Sequence, residues 1–167
     1  MSTPAKDAYE THRKYWADSS GDLDLPIDPI SIASAMGIDV FTAEMPPKQD
    51  GYLEPVGPNG RPAIILNRDH SMNRIRFTCA HELGHFVDHK NRGADLTRCD
   101  RDGLAAAGLD AQEIYSNRFA AALLMPKEFL VKLINEGLSL EALARRFKVS
   151  PTAMEWRLRN LGIRPQN

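Results

Sequence analysis

Arg76-Phe77-Thr78-Cys79-Ala80-His81-Glu82-Leu83-Gly84-His85-Phe86-Val87 is the stretch from which the rest of the chain can be read. Its apolar residues Phe77, Ala80, Leu83, Phe86 and Val87 fit an amphipathic helix, and the pattern predicts one from about Met72 to His89. Residues four apart on a helix lie one above the other, so the imidazoles of His81 and His85 can face a single point. Glu82 stands about 100° further round the axis, placed to reach a neighbour of that point rather than the point itself. Gly84 costs about 1 kcal/mol relative to alanine inside a helix, which marks a face where another element comes close.

Two neutral imidazoles at this spacing, joined by a carboxylate, suit a zinc ion with a fourth position left for water. A bound ion lowers the pKa of that water towards ~7, and Glu82 then has the chemistry of a general base. The third ligand has to come from elsewhere. Asn91 occupies the place of a third histidine ten residues after His81, and His89 lies too far along the axis to share one ion with it. Asp95, Asp100 and Asp102 sit in a glycine-rich, charged segment over 91–109, without the spacing of a calcium loop. Cys99 is a further, weaker alternative. Glu113 is the choice: it opens a helix read over 111–125, where Glu113, Asn117 and Ala120/Ala121 share the side suited to sit on Gly84.

The remaining chain frames this motif. Its 167 residues are 43% hydrophobic and 26% charged, with a formal net charge of −1. That excludes a disordered chain and a protein that coats nucleic acid through bulk positive charge. No apolar run reaches bilayer-spanning length, no signal-peptide core opens the chain, and Cys79 and Cys99 are the sole cysteines. Together these features give a cytoplasmic reading with no membrane partner. A helix is expected over 4–18, then a break at Ser19-Ser20-Gly21-Asp22. Asp28 caps a short helix with Pro29 at its first position, ended by Gly37. Strands are expected over 38–42, 52–56 and 63–66, the last two joined through Gly57-Pro58-Asn59-Gly60. Helices follow near 127–136, 140–147 and 151–161.

Two motifs in order carry a family likeness. Arg76-Phe77-Thr78-x-Ala80-His81-Glu82-Leu83-Gly84-His85 with His89 is followed by Glu113-x3-Asn117-x-Phe119-Ala120-Ala121-x-Leu123-Leu124-Met125-Pro126. The pair closely resembles the ImmA/IrrE family of metallopeptidases, over roughly residues 25–160. The resemblance implies an α+β, gluzincin-like fold: a small twisted sheet packed on the HEXXH helix and further helices. It implies His81, His85 and Glu113 as ligands of one zinc (manganese being the alternative ion) and Glu82 as catalytic base. It further implies cytoplasmic cleavage of a helix-turn-helix transcriptional repressor, which would release stress, phage or mobile-element genes. Cys79 replaces the aliphatic residue usual in the family and reads as a small core residue.

The expected organisation is an N-terminal helix and linker (1–22), a metallopeptidase core (23–126) and a helix-turn-helix-like helical subdomain (127–167). In the last, Ser150 caps a helix with Pro151 at its first position, and Ala144, Phe147, Val149, Met154 and Leu158 form a small core. Residues 127–167 hold eight Lys/Arg against four Asp/Glu. Thr152, Glu155, Arg157 and Arg159 could face DNA, yet so small a basic excess favours a subdomain that closes the peptidase and docks its substrate. An extended peptide is expected to add against an edge such as Ala63–Leu66, with Tyr52, His70, Tyr115 and Arg118 as candidate oxyanion donors. The rival to the enzyme is a non-enzymatic zinc-containing regulator or toxin–antitoxin component acting through the helical end.

Overall fold

The computed structural model describes residues 3–18, 20, 22–93 and 106–164. Its elements run α1 (Pro4–Tyr15), α2 (Pro29–Ala35), β1 (Asp39–Ala43), β2 (Gly51–Glu54), β3 (Ala63–Asn67), α3 (Met72–Arg92), α4 (Ala106–Leu124), α5 (Lys127–Asn135), α6 (Leu140–Phe147) and α7 (Pro151–Leu161). The α+β class, the small sheet and the C-terminal helices are those expected. Helix starts follow local chemistry: Asp28, Ser71, Ser139 and Ser150 each accept a backbone N–H of the first turn. Two ends differ. α3 continues to Arg92, and α4 begins at Ala106, within the segment that composition alone reads as loop. Asp95, Cys99, Asp100 and Asp102 lie outside the described residues.

The sheet has the order β1–β3–β2. β1 pairs with β3 in parallel, Val40 opposite Ile64, and β2 pairs with it antiparallel, Tyr52 opposite Ile65. β3 is therefore the central strand. The expectation that a peptide adds against Ala63–Leu66 is corrected, because both sides of that strand are already paired. Its near-continuous apolar run, Ala63-Ile64-Ile65-Leu66, is what a strand enclosed by neighbours requires. Asn67 ends it, wholly buried, and its amide donates to the Gln49 carbonyl at 2.8 Å, pinning the segment that leads into β2.

α3 crosses beneath this sheet and packs along α4. A Cβ on Gly51 would stand 2.6 Å from the Ile65 carbonyl and 3.0 Å from Thr78 Cγ2, so β2 lies tight on both β3 and α3. Gly51 and Leu53 are buried while Tyr52 and Glu54 are half-buried, so alternation puts Tyr52 on the sheet face away from the helix. On its other side α4 carries α1: buried His12 donates from Nε2 to the Leu123 carbonyl at 2.7 Å, and Tyr115 donates to Asp7.

α6 and α7 enclose Leu143, Ala144, Phe147, Met154 and Leu158, with Val149 buried between them. Two arginines tie this pair to the core. Arg76 on α3 donates to Ile27 O at 2.6 Å and to Lys148 O at 3.3 Å. Arg157 on α7 donates to Met125 O at 3.1 Å. Arg157 thus serves the interior rather than an outward face, a correction to its reading as a DNA-facing residue. Arg159 pairs with Glu155 at 2.9 Å on the exposed side of α7.

Candidate metal centre

The metal-type donors predicted from spacing meet where α3 and α4 cross. His81 and His85 share a face of α3, their rings edge to face with centroids 4.7 Å apart. Glu113 reaches them from α4. Its Oε2 is 3.4 Å from His81 Nε2, its Oε1 is 3.1 Å from His85 Nε2, and the two ring nitrogens are 3.0 Å apart. Among the described residues this is the one group of three or more His, Cys, Asp or Glu side chains whose donor atoms converge.

Both helices are built for that meeting. A Cβ on Gly84 would fall 2.9 Å from Ser116 Cα, so the two backbones approach more closely than any side chain on that face allows. Sequence reasoning predicted the close approach but looked for its other side at Ala120/Ala121; Ser116, wholly buried, is the residue that meets Gly84. Proximity at this point is what brings Glu113, one turn before Asn117, within reach of α3.

The donor set fits a tetrahedral cation. Zinc holds nitrogen and oxygen ligands at about 2.0–2.1 Å, which sets neighbouring ligand atoms about 3.3 Å apart. The ring nitrogens stand 3.0 Å apart, and each lies near that spacing from one oxygen of the Glu113 carboxylate, His85 at 3.1 Å from Oε1 and His81 at 3.4 Å from Oε2. His81 Nδ1 donates to Asn117 Oδ1 at 3.0 Å, which turns the lone pair of Nε2 into the triangle. Lone pairs and a carboxylate pressed this close demand positive charge between them, either protons on the imidazoles or a metal ion. The same demand appears in Glu113, whose carboxyl is held well below the usual carboxylate range by hydrogen bonds from His81 and His85.

Glu82 is buried on the same turn as His81, and Glu113 keeps its side chain about one-third exposed. The centre is thus open to solvent on its Glu113 side. Cys79 is buried core, as expected, and burial pushes its thiol far up, out of the range where it would serve as a ligand or nucleophile. His89 is buried further along α3, outside the triangle.

Of the side chains considered as oxyanion donors, Tyr115 is committed to Asp7 beside α1. Tyr52 lies on the sheet face away from α3, and Arg118 is exposed on α4. His70 bonds the Pro47 carbonyl at 3.2 Å and sits against Asp50, which also pairs with Arg74 at 2.6 Å. Asn117 is the residue whose part was missed. Its four-residue spacing from Glu113 was the available signal, since a helix that supplies a ligand can orient a second ligand one turn later.

Comparison with known proteins agrees with this geometry. No curated protein matches the sequence. A Mycobacterium tuberculosis transcriptional regulator of known structure superposes with a TM-score of 0.62 at 17% sequence identity, over 94% of this chain and 52% of its own. The chain spans about half the length of that regulator, and a likeness at such low identity is one of fold. The sequence profile of the IrrE N-terminal-like domain, a peptidase family, matches residues 33–159. That span takes in the sheet, both helices of the triangle and the helical pair. The chain belongs to the IrrE N-terminal-like family of metallopeptidases.

Proposed function

We propose that this protein is a zinc-dependent endopeptidase that cuts a helix-turn-helix transcriptional repressor at a specific bond, derepressing stress, phage or mobile-element genes in the cytoplasm. The observation that carries the peptidase reading is the triangle of His81, His85 and Glu113 with a buried carboxylate, Glu82, on the same turn. The repressor as substrate rests on the ImmA/IrrE likeness of the two motifs. No described helix is long and apolar enough to cross a membrane.

His81, His85 and Glu113 would hold the ion, zinc or alternatively manganese. When bound, the ion supplies Lewis-acid polarisation of the scissile carbonyl and acidifies the attacking water. Glu82 accepts the proton of that water and returns it to the leaving amine. Asn117 fixes the tautomer of His81. β2 is the edge that lies on α3, so an extended peptide would pair there, antiparallel to its neighbour or parallel to it, held by backbone hydrogen bonds. Residues 23–126 form the proposed catalytic core, with 1–22 as a leading helix and linker and 127–167 as the helical subdomain.

A non-enzymatic regulator would close its zinc site with a fourth protein ligand. Glu82, buried on the same turn as His81, is a base that a structural site does not need, which favours the enzyme. The test is Glu82→Gln. Zinc content, measured by elemental analysis, should stay at the wild-type level, while cleavage of a co-expressed helix-turn-helix repressor falls at least about 100-fold. Cleavage at the wild-type rate would overturn the assignment.

A further inference from the structure

The face that carries the donor triangle does not stop at it. On α3, Asn73, Phe77, His81 and His85 follow at four-residue intervals, and on α4 Glu113, Asn117 and Ala121 do the same, with Met125 just past its end. The contacts His85–Glu113 and His81–Asn117 show that the two rows run in opposite directions. One end of the paired rows is the triangle. The other end opens into a groove of about 580 Å³, closed on its far side by the start of α7. Its apolar lining is Phe77, Ala121, Met125, Val149, Ala153 and Trp156, the last about 50% exposed. Asn117 belongs to both, lining the groove and bonding His81.

We infer that this groove is the specificity pocket of the peptidase, taking a large aliphatic or aromatic side chain that lies one or two residues from the scissile bond. The inference rests on the peptidase reading and adds a substrate preference to it. Four residues of helix advance about 6 Å, and an extended peptide covers that distance in about two residues. A side chain anchored beside Phe77 therefore belongs to a residue next to the bond held at His81, or to the one after it. Charge agrees with an apolar occupant. The ionic groups at the groove, Asp50 and Arg74, pair with each other at 2.6 Å and leave no net charge to attract a charged side chain. Asp50 also immediately precedes β2, so the backbone edge and the pocket adjoin. The helical subdomain gains a role in this arrangement. Arg76 and Arg157 hold α7 at a fixed place relative to α3 and α4, and Val149, Ala153 and Trp156 form the wall that the core itself lacks.

The experiment uses the zinc-loaded protein and two dipeptide hydroxamates whose two side chains, at the first and second residues from the metal-binding group, are both isobutyl or both methyl. Affinities are measured by calorimetry. The isobutyl compound should bind about tenfold tighter or better, the worth of partly buried methylenes. Trp156→Ala, at a half-exposed position, and Ala153→Leu, which fills the groove, should each bring that preference below about threefold, with the methyl compound bound as before. Equal binding of the two compounds to the wild type would overturn the pocket and leave the metal centre standing. A preference that survives both substitutions would overturn it as well, because the side chain would then sit elsewhere. Binding of neither compound would overturn the metal centre and the pocket with it.

Discussion

The helix pairs α3–α4 and α6–α7 are packed by opposite means. In α6–α7 the interface is made of Leu143, Ala144, Phe147, Met154 and Leu158, while Arg145, Arg146, Glu155 and Arg159 stay in solvent. Caps and apolar burial are a sufficient account of it. In α3–α4 the backbones meet at Gly84 and Ser116, and the space beside that contact holds His81, Glu82, His85 and Asn117. Burying imidazoles and carboxylates costs free energy unless something compensates. Stability accounts for the first interface; the second gathers buried polar groups whose proximity calls for positive charge between them, and the proposed function supplies it.

That contrast can be broken at its polar end first. Asn117→Ala leaves His81 Nδ1 without its acceptor and should weaken zinc binding about 10- to 100-fold, read by competition with a chelator. Unchanged affinity would mean that the two helices position the ligands without its help. Gly84→Ala addresses the close approach. The new methyl gains about 1 kcal/mol of helix propensity but must push against Ser116 backbone, so urea unfolding should show a net loss of about 1–2 kcal/mol. A more stable variant would show that α3 and α4 have room to spare.

The α1–α4 contact sharpens the comparison, since it too buries a polar group. Burial pushes the His12 imidazole below its ordinary range, against opposing effects of its bond to Leu123 O and of nearby Glu128. The unfolded chain then takes up a proton near pH 6.5 that the folded chain resists. Stability is full above that pH and declines as pH falls through it, by at most ~1.4 kcal/mol per pH unit for one proton. His12→Gln, whose amide can still donate to Leu123 O, should flatten that decline in denaturation measured from pH 7.5 to 5.5. The smallest effect is expected at the apolar end. Lys148 caps α6 in the left-handed region, at φ 50°, where glycine is free of the Cβ penalty. Lys148→Gly should raise stability by about 1 kcal/mol or less; a loss would place the lysine side chain in a contact that matters.

Legibility in the sequence divides along local and distant lines. α2, α3, α6 and α7 were readable because cap, periodicity and stop lie within one segment, as at Asp28-Pro29 and Ser150-Pro151. The convergence of His81, His85 and Glu113 followed from helical spacing and from the family likeness. What escaped depends on partners far along the chain. The bond from His81 to Asn117 spans 36 residues and that from Tyr115 to Asp7 spans 108. Nothing near Ala63–Asn67 says that β1 will dock on its free side and make it central. Arg157 looked like an outward charge until Met125 supplied a carbonyl for it. α4 also starts earlier than its composition suggests, because glycine-bearing sequence there argues locally for loop.

One guanidinium joins three parts of the molecule. Arg76 holds the carbonyl of Ile27 from the segment before α2 and that of Lys148 from the turn between α6 and α7. It stands five residues ahead of His81 on the same rigid rod. The turn between α6 and α7 and the segment before α2 are thereby fastened to the helix that carries both imidazoles.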